Sequence, residues 1–341
     1  MERLYEFFNR KLKSTPTDFL RYKYDRIKWD GRAFGIVGPR GVGKSTMILQ
    51  HIKLNLDTAD TLYVSADHIY FSEHRLVDLA DYFVKMGGKH LFIDEIHKYD
   101  GWAREVKQIY DSYEDLQIVI SGSSILDIYK GMADLSRRFP IYEIQGLSFR
   151  EYLSLFHGIN APVYSLDEIL SHKAVLPDVK HPLPLFKDYL RNGYYPFRHD
   201  EEYEMELLQV INQTMEVDIP THLQANVSLG KKLKSLLMVV AKSVPFKPVM
   251  QRLAEATGIS RNDIASHLFY MERAGMITQL RDTTGGIRGL GKVEKLYLDN
   301  TNLIYALSPE HADIGNVRET FFMNQARVMN DVTGSSISDF E

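Results

Sequence analysis

The stretch Gly38-Pro39-Arg40-Gly41-Val42-Gly43-Lys44-Ser45 decides the reading of this chain, because it satisfies the pattern G-x-x-x-x-G-K-[ST]. Its setting fits the pattern. An apolar run at 33–37 precedes it as a strand, and helical periodicity from Lys44 to about Leu54 follows it. Glycines at these positions let the backbone curl around an anion, so that N–H groups and the positive end of the helix face a triphosphate. The expected cradle is Gly38, Pro39, Arg40, Gly41, Val42, Gly43, Lys44, Ser45 and Thr46. Lys44 should reach the β- and γ-phosphates of ATP, and Ser45 should ligate Mg²⁺.

A second segment, Leu91-Phe92-Ile93-Asp94-Glu95, is an apolar strand that ends in two carboxylates. Asp94 at the carboxyl edge of a parallel sheet lies beside the phosphate loop and can hold Mg²⁺. Glu95, directly after it, can polarise a water for in-line attack on the γ-phosphate. Further on, Ser121-Gly122-Ser123-Ser124 closes another strand, where Ser121 or Ser123 could sense the nucleotide and Ser124 could cap the next helix. In Leu135-Ser136-Arg137-Arg138, Arg137 or Arg138 could stabilise transition-state charge in its own chain or on a neighbouring subunit. A GTPase would carry an N/T-K-x-D motif, which is missing from this sequence, and a small-molecule kinase has no need of the Asp-Glu pair.

Outward from these motifs, five short apolar runs at 33–37, 61–65, 90–94, 117–121 and 141–144 alternate with helical segments. That alternation predicts an α/β fold, a parallel sheet flanked by helices, which with the phosphate loop is a P-loop NTPase. After Ser148 the periodicity is helical at 149–156, 166–172 and 201–219, with Pro-containing stretches at 180–185 and 195–198 as separators. From Lys231 the pattern is three helices and two strands, 276–280 and 293–298, around a glycine-rich loop at 283–291. This order predicts a winged helix, with Ser260 capping its second helix and Arg261, Asn262, Asp263, His267, Glu272 and Arg273 exposed on it. Mixed charge there gives a weak duplex-DNA footprint, helped by Arg281, Arg288, Lys292 and Lys295, so a protein contact is the favoured use of the surface and duplex DNA the alternative. The expected divisions are 1–30 N-terminal helical, 31–147 ATPase core, 148–230 helical, 231–308 winged helix and 309–341 a further beginning.

Composition bounds the rest. There are 341 residues, with 41 Lys+Arg against 45 Asp+Glu for a net charge of −4, 44% hydrophobic residues and no cysteine. Bulk-charge binding of nucleic acid is excluded, as are thiolate chemistry and disulfides. No apolar run nears the ~18 residues of a membrane span, and the charged start Met1-Glu2-Arg3 lacks a signal peptide's apolar stretch, so a cytoplasmic protein without membrane contact is expected. His68 and His97 read as loop-surface residues with contact to nucleotide or substrate as their alternative use, and the aromatic segment 22–29 as a packed N-terminal helix with adenine stacking as its alternative use.

The segments 38–46, Leu91 to Tyr99, Ser121-Gly122-Ser123-Ser124, 135–138 and Gly146-Leu147-Ser148-Phe149-Arg150-Glu151-Tyr152 resemble the predicted AAA-type ATPases of bacteria and archaea that carry a C-terminal domain of unknown function. The likeness extends over nearly the whole chain. It implies an AAA-like domain, a small helical region, a winged helix and a region similar to restriction-type nucleases. That last region would open at Gly315-Asn316-Val317-Arg318, and the chain ends at Ser338-Asp339-Phe340-Glu341 before a D…E-x-K metal site could assemble, so no nuclease activity is expected. The expected activity is Mg²⁺-dependent ATP hydrolysis coupled to movement of the winged helix, in a possible homo-oligomer. A nucleotide-switched DNA-binding regulator or a scaffold with little turnover is the alternative.

Overall fold

A computed structural model describes residues 1–123, 128, 138–176, 179–197, 202–282 and 292–333. The chain divides into two compact units, Met1–Gln145 and Gly146–Glu341.

In the first unit the apolar runs become β1 (Ala33–Val37), β2 (Thr61–Ser65), β3 (His90–Asp94), β4 (Gln117–Gly122) and β5 (Ile141–Glu143). They pair in parallel in the order β2-β3-β4-β1-β5. β1 and β4 are buried along their whole length, as strands covered by helices on both faces must be. Helices α1 (Glu2–Ser14), α2 (Lys44–Asn55), α3 (Leu76–Lys85) and α4 (Trp102–Ser112) accompany the sheet. Register sets Ser65 beside Asp94 and Ile36 beside Ser121, so the carboxyl ends of the strands gather at one edge where the phosphate loop begins.

The aromatic segment 22–29 differs from expectation. Only Tyr24–Arg26 is helical, as a single 3₁₀ turn, because the Trp29 indole N–H donates to the Tyr24 carbonyl at 2.9 Å and folds the segment back. The Trp29 ring then stacks on His51 of α2, centroids 4.0 Å apart and planes within 8°. This burial, with His90 nearby, lowers the pKa of His51 from 6.5 to about 4. A neutral buried histidine favours the unfolded chain once that chain binds a proton that the folded one refuses. Stability should therefore fall as pH drops from about 6.5 to about 4. Thermal melts across that window should show a shallower loss for His51→Gln than for the wild type, and equal slopes would contradict the assignment.

In the second unit come α5 (Phe149–His157), α6 (Leu166–Leu170), α7 (Pro182–Asn192), α8 (Tyr203–Gln213), α9 (Ile219–His222), α10 (Val227–Ala241), α11 (Met250–Thr257) and α12 (Arg261–Arg273). The antiparallel pair β6 (Ile277–Arg281) and β7 (Val293–Leu298) follows, then α13 (Thr301–Leu307) and α14 (Ile314–Thr333). The glycine-rich loop 283–291, with Arg288, and the stretch 334–341 lie outside the described residues. Phe246 bridges to Leu296 on β7.

Helix α7 occupies the proline stretch expected to separate helices. Pro182 and Pro184 sit in its first turn, where the missing N–H groups would have no intrahelical partner anyway. A buried polar cluster ties elements of this second unit together. The Tyr194 N–H donates to Asn302 Oδ1 at 2.8 Å, Thr301 Oγ1 to the Leu190 carbonyl at 2.6 Å, and Asn324 Nδ2 to the Asp299 carbonyl at 3.0 Å. Asp299, 3% exposed, pairs with Arg327 at 2.8 Å, which offsets the cost of burying its charge. Ser260 occupies the N-cap position of α12, but its hydroxyl donates to the Asp263 carboxylate at 2.7 Å and makes no capping bond to the helix backbone. Among the described residues, no helix is long and apolar enough to cross a membrane.

Candidate nucleotide site

The loop between β1 and α2 takes the shape its glycines permit. Gly41 and Gly43 have φ of +83° and +93°, in the left-handed region that side chains disfavour. Gly38 is constrained by space. A Cβ there would lie 2.2 Å from the backbone oxygen of Ile144, which no rotamer change can relieve. Gly38→Ala should therefore cost about 1–3 kcal/mol of stability or more through overpacking and distort the loop. Thermal unfolding and nucleotide affinity should fall together, and a variant as stable as the wild type would contradict the packing.

Lys44 is 4% exposed, and its ammonium donates to the carbonyls of Gly38 and Pro39, each at 2.9 Å. The cation is thus held inside the curl of the loop. Arg21, unmarked by any motif, braces the same loop: its guanidinium donates to the Val42 carbonyl at 2.7 Å and to the Gln145 carbonyl at 2.8 Å.

At the end of β3, Asp94 is 3% exposed. Its Oδ1 accepts from the Ser121 hydroxyl and, at 3.0 Å, from the Glu95 N–H, while Oδ2 accepts from the Tyr63 hydroxyl at 2.6 Å. Glu95 follows in the left-handed region at φ +49°, a conformation that costs a non-glycine residue about 1–3 kcal/mol. The turn swings its carboxylate away from that of Asp94. Glu95 Oε2 accepts from the Ser123 hydroxyl at 3.2 Å and lies 3.4 Å from Nε2 of His97. Burial raises the Glu95 carboxyl above its usual range and the Asp94 charge adds to this, while Lys44, Arg40 and the Ser123 hydrogen bond oppose it. The two serines that the sequence leaves equivalent are therefore divided, Ser121 on Asp94 and Ser123 on Glu95.

His97 is a correction to the loop-surface reading. Its side chain is 4% exposed and packs against Gly122, where a Cβ would come within 2.8 Å of Nδ1. His68 accepts from the Tyr70 N–H at 3.1 Å and meets the Phe7 ring edge-on.

Lys44, Ser45, Asp94, Glu95, Ser121 and Ser123 gather at the carboxyl edge of the sheet. Arg138 does not join them. It pairs with Asp111 near the end of α4 at 3.3 Å and precedes β5, so it belongs to the opposite edge of the sheet. Arg137 and Ser124 lie outside the described residues. A cavity of about 450 Å³ opens beside Ser45, Thr46, Tyr63 and Asp94, with Phe7 and Lys11 of α1 on its far wall. Its polar groups fit the expected ligands: a buried carboxylate and a hydroxyl are the hard oxygen donors Mg²⁺ takes, and the loop with its held ammonium suits a polyphosphate.

The loop, the parallel sheet in this order and the carboxylates at its edge define the class, a P-loop NTPase fold. Residues 30–153 match the family described as AAA domain, and residues 183–313 match a domain of unknown function, DUF8612. An uncharacterized protein of Methanocaldococcus jannaschii is 28% identical over 265 residues, which cover 72% of this chain and 56% of that one. The chain thus spans little more than half the length of that curated relative. Solved structures superpose loosely. C. elegans PCH-2 gives a TM-score of 0.29 at 16% identity over 78% of this chain and 67% of that one. AMPPCP-bound DnaA from Aquifex aeolicus gives 0.30 at 14% over 78% and 86%. The S. cerevisiae Hsp104-ADP complex gives 0.31 at 17% over 79% and 38%.

Proposed function

We propose that this chain binds ATP with Mg²⁺ and transfers the γ-phosphoryl group to water. The observation that carries the reading is the division of labour at the end of β3, where Asp94 and Glu95 are separately held by Ser121 and Ser123 beside the phosphate loop. Bound Mg²⁺ would neutralise charge on the β- and γ-phosphates, with Ser45 and Asp94 as the residues that hold it. The chain's own groups do the rest. Backbone N–H groups of 40–46 cradle the phosphates, and Lys44 moves from loop carbonyls to phosphate oxygens. Glu95 orients the attacking water and accepts its proton, the role its raised carboxyl suits.

Arg138 acts, on this reading, on a neighbouring subunit's nucleotide, because it sits at the edge of its own sheet opposite the phosphate loop. Light scattering should then show a homo-oligomer in ATP, and a monomer throughout would remove action in trans.

The elements α10, α11, α12, β6 and β7 support a winged helix, and its movement on nucleotide turnover is part of the proposal. Its target is better sought among proteins than in duplex DNA. Lys247 pairs with Glu294, Lys295 with Glu319 at 2.8 Å, and Arg281 with Glu272 at 3.6 Å, so acids offset much of the charge a phosphate backbone would need. Glu272 itself turns from the exposed face of α12 to accept from the Gln279 N–H at 2.7 Å. Phosphate release measured with and without duplex DNA tests both points. Mg²⁺-dependent release unchanged by DNA is expected. No release under any condition would overturn the hydrolase reading, and DNA retention dependent on ATP but without turnover would establish the switch.

A further inference from the structure

We infer that Tyr63 is a positioning residue for the divalent-cation site, its phenol holding the Asp94 carboxylate in the cavity that Ser45 also lines. The inference rests on the Mg²⁺–nucleotide reading above and names a residue that the phosphate-loop and strand-end motifs leave out. Tyr63 lies in the middle of β2, opposite Phe92 on β3, and is 3% exposed. From there its ring runs along the strand toward the carboxyl edge, and its hydroxyl donates to Asp94 Oδ2 at 2.6 Å. Ser45 on α2 lines the same cavity as Tyr63 and Asp94. Ser121 holds the other Asp94 oxygen.

Each oxygen of the carboxylate is thus fixed by one hydroxyl, and Tyr63 lines the same cavity as Ser45, the second residue expected to bind the cation. Partners of this kind, behind the ligands themselves, set ligand orientation and typically change metal affinity by about 10–100-fold when removed. The ring has little freedom to leave. Phe7 and Phe8 of α1 flank it, each with centroids 6.4 Å away and the Phe7 plane within 12°. Phenylalanine would fill this space equally well, so packing alone does not account for the hydroxyl.

The test uses Mn²⁺ as the probe cation and ADP as the nucleotide, with free Mn²⁺ counted by electron paramagnetic resonance. Tyr63→Phe should weaken Mn²⁺ binding to the ADP-loaded protein about tenfold or more. Its affinity for fluorescent ADP in EDTA should equal that of the wild type, because the phosphate cradle is untouched. Ser121→Ala, which releases the other carboxylate oxygen, should weaken Mn²⁺ in the same selective way. Unchanged Mn²⁺ affinity in Tyr63→Phe would overturn the inference while leaving nucleotide binding intact. A parallel loss of Mn²⁺ and of ADP in EDTA would assign Tyr63 a packing role and overturn it as well. A wild type that binds ADP in EDTA but takes up no Mn²⁺ would overturn both this inference and the Mg²⁺-dependent reading.

Discussion

Replacing Glu95 with glutamine should lower steady-state phosphate release by about 10²–10⁴-fold, the range by which a positioned general base accelerates proton transfer. Nucleotide binding should survive. The amide keeps the size of the carboxylate and can still accept from Ser123, which lies 3.2 Å from Glu95 Oε2 in the native site. What it loses is the capacity to take a proton from water. The left-handed backbone at Glu95 gives a second reason to expect a local effect, since glutamine tolerates that conformation no worse than glutamate. A Gln variant that turns over ATP at the wild-type rate would remove Glu95 from the chemistry.

Lys44→Ala should act earlier, on binding. A hydrogen bond to a charged group contributes about 1.5–3 kcal/mol, and 1.4 kcal/mol is a factor of ten. Losing one phosphate contact therefore costs about 10–100-fold in ATP affinity. The loop itself also suffers, because the ammonium that bridges the Gly38 and Pro39 carbonyls in the free protein is gone. Titration with a fluorescent ATP analogue reads the loss directly. Wild-type affinity in Lys44→Ala would mean that the nucleotide binds elsewhere.

The five strands were legible because a parallel strand covered on both faces is apolar almost throughout, and β1, β2 and β3 have the bounds their apolar runs suggest. Where polar residues intrude, the edges move: β4 gains Gly122, and β5 ends at Glu143. The segment 201–219 reads as one helix from its periodicity, yet the backbone widens to a π turn at Thr214–Asp218 before α9. Prolines misled at α7, since their cost depends on position within the helix, which composition does not carry. The phosphate loop and the Asp94-Glu95 pair were legible as local patterns. Tyr63 and Arg21 were not, because their roles depend on partners 31 residues away for Tyr63 and 21 and 124 residues away for Arg21. A tyrosine in a strand and an arginine before one are ordinary until the sheet brings those partners near.

On the proposed reading, ATP bound at the phosphate loop is consumed by a water that Glu95 activates. The most direct measurement loads the wild type and Glu95→Gln with equimolar ATP and Mg²⁺, separates protein from free nucleotide by gel filtration, and identifies what each protein carries. The account predicts ADP on the wild type and intact ATP on Glu95→Gln. Intact ATP on both, or no nucleotide on either, would contradict it.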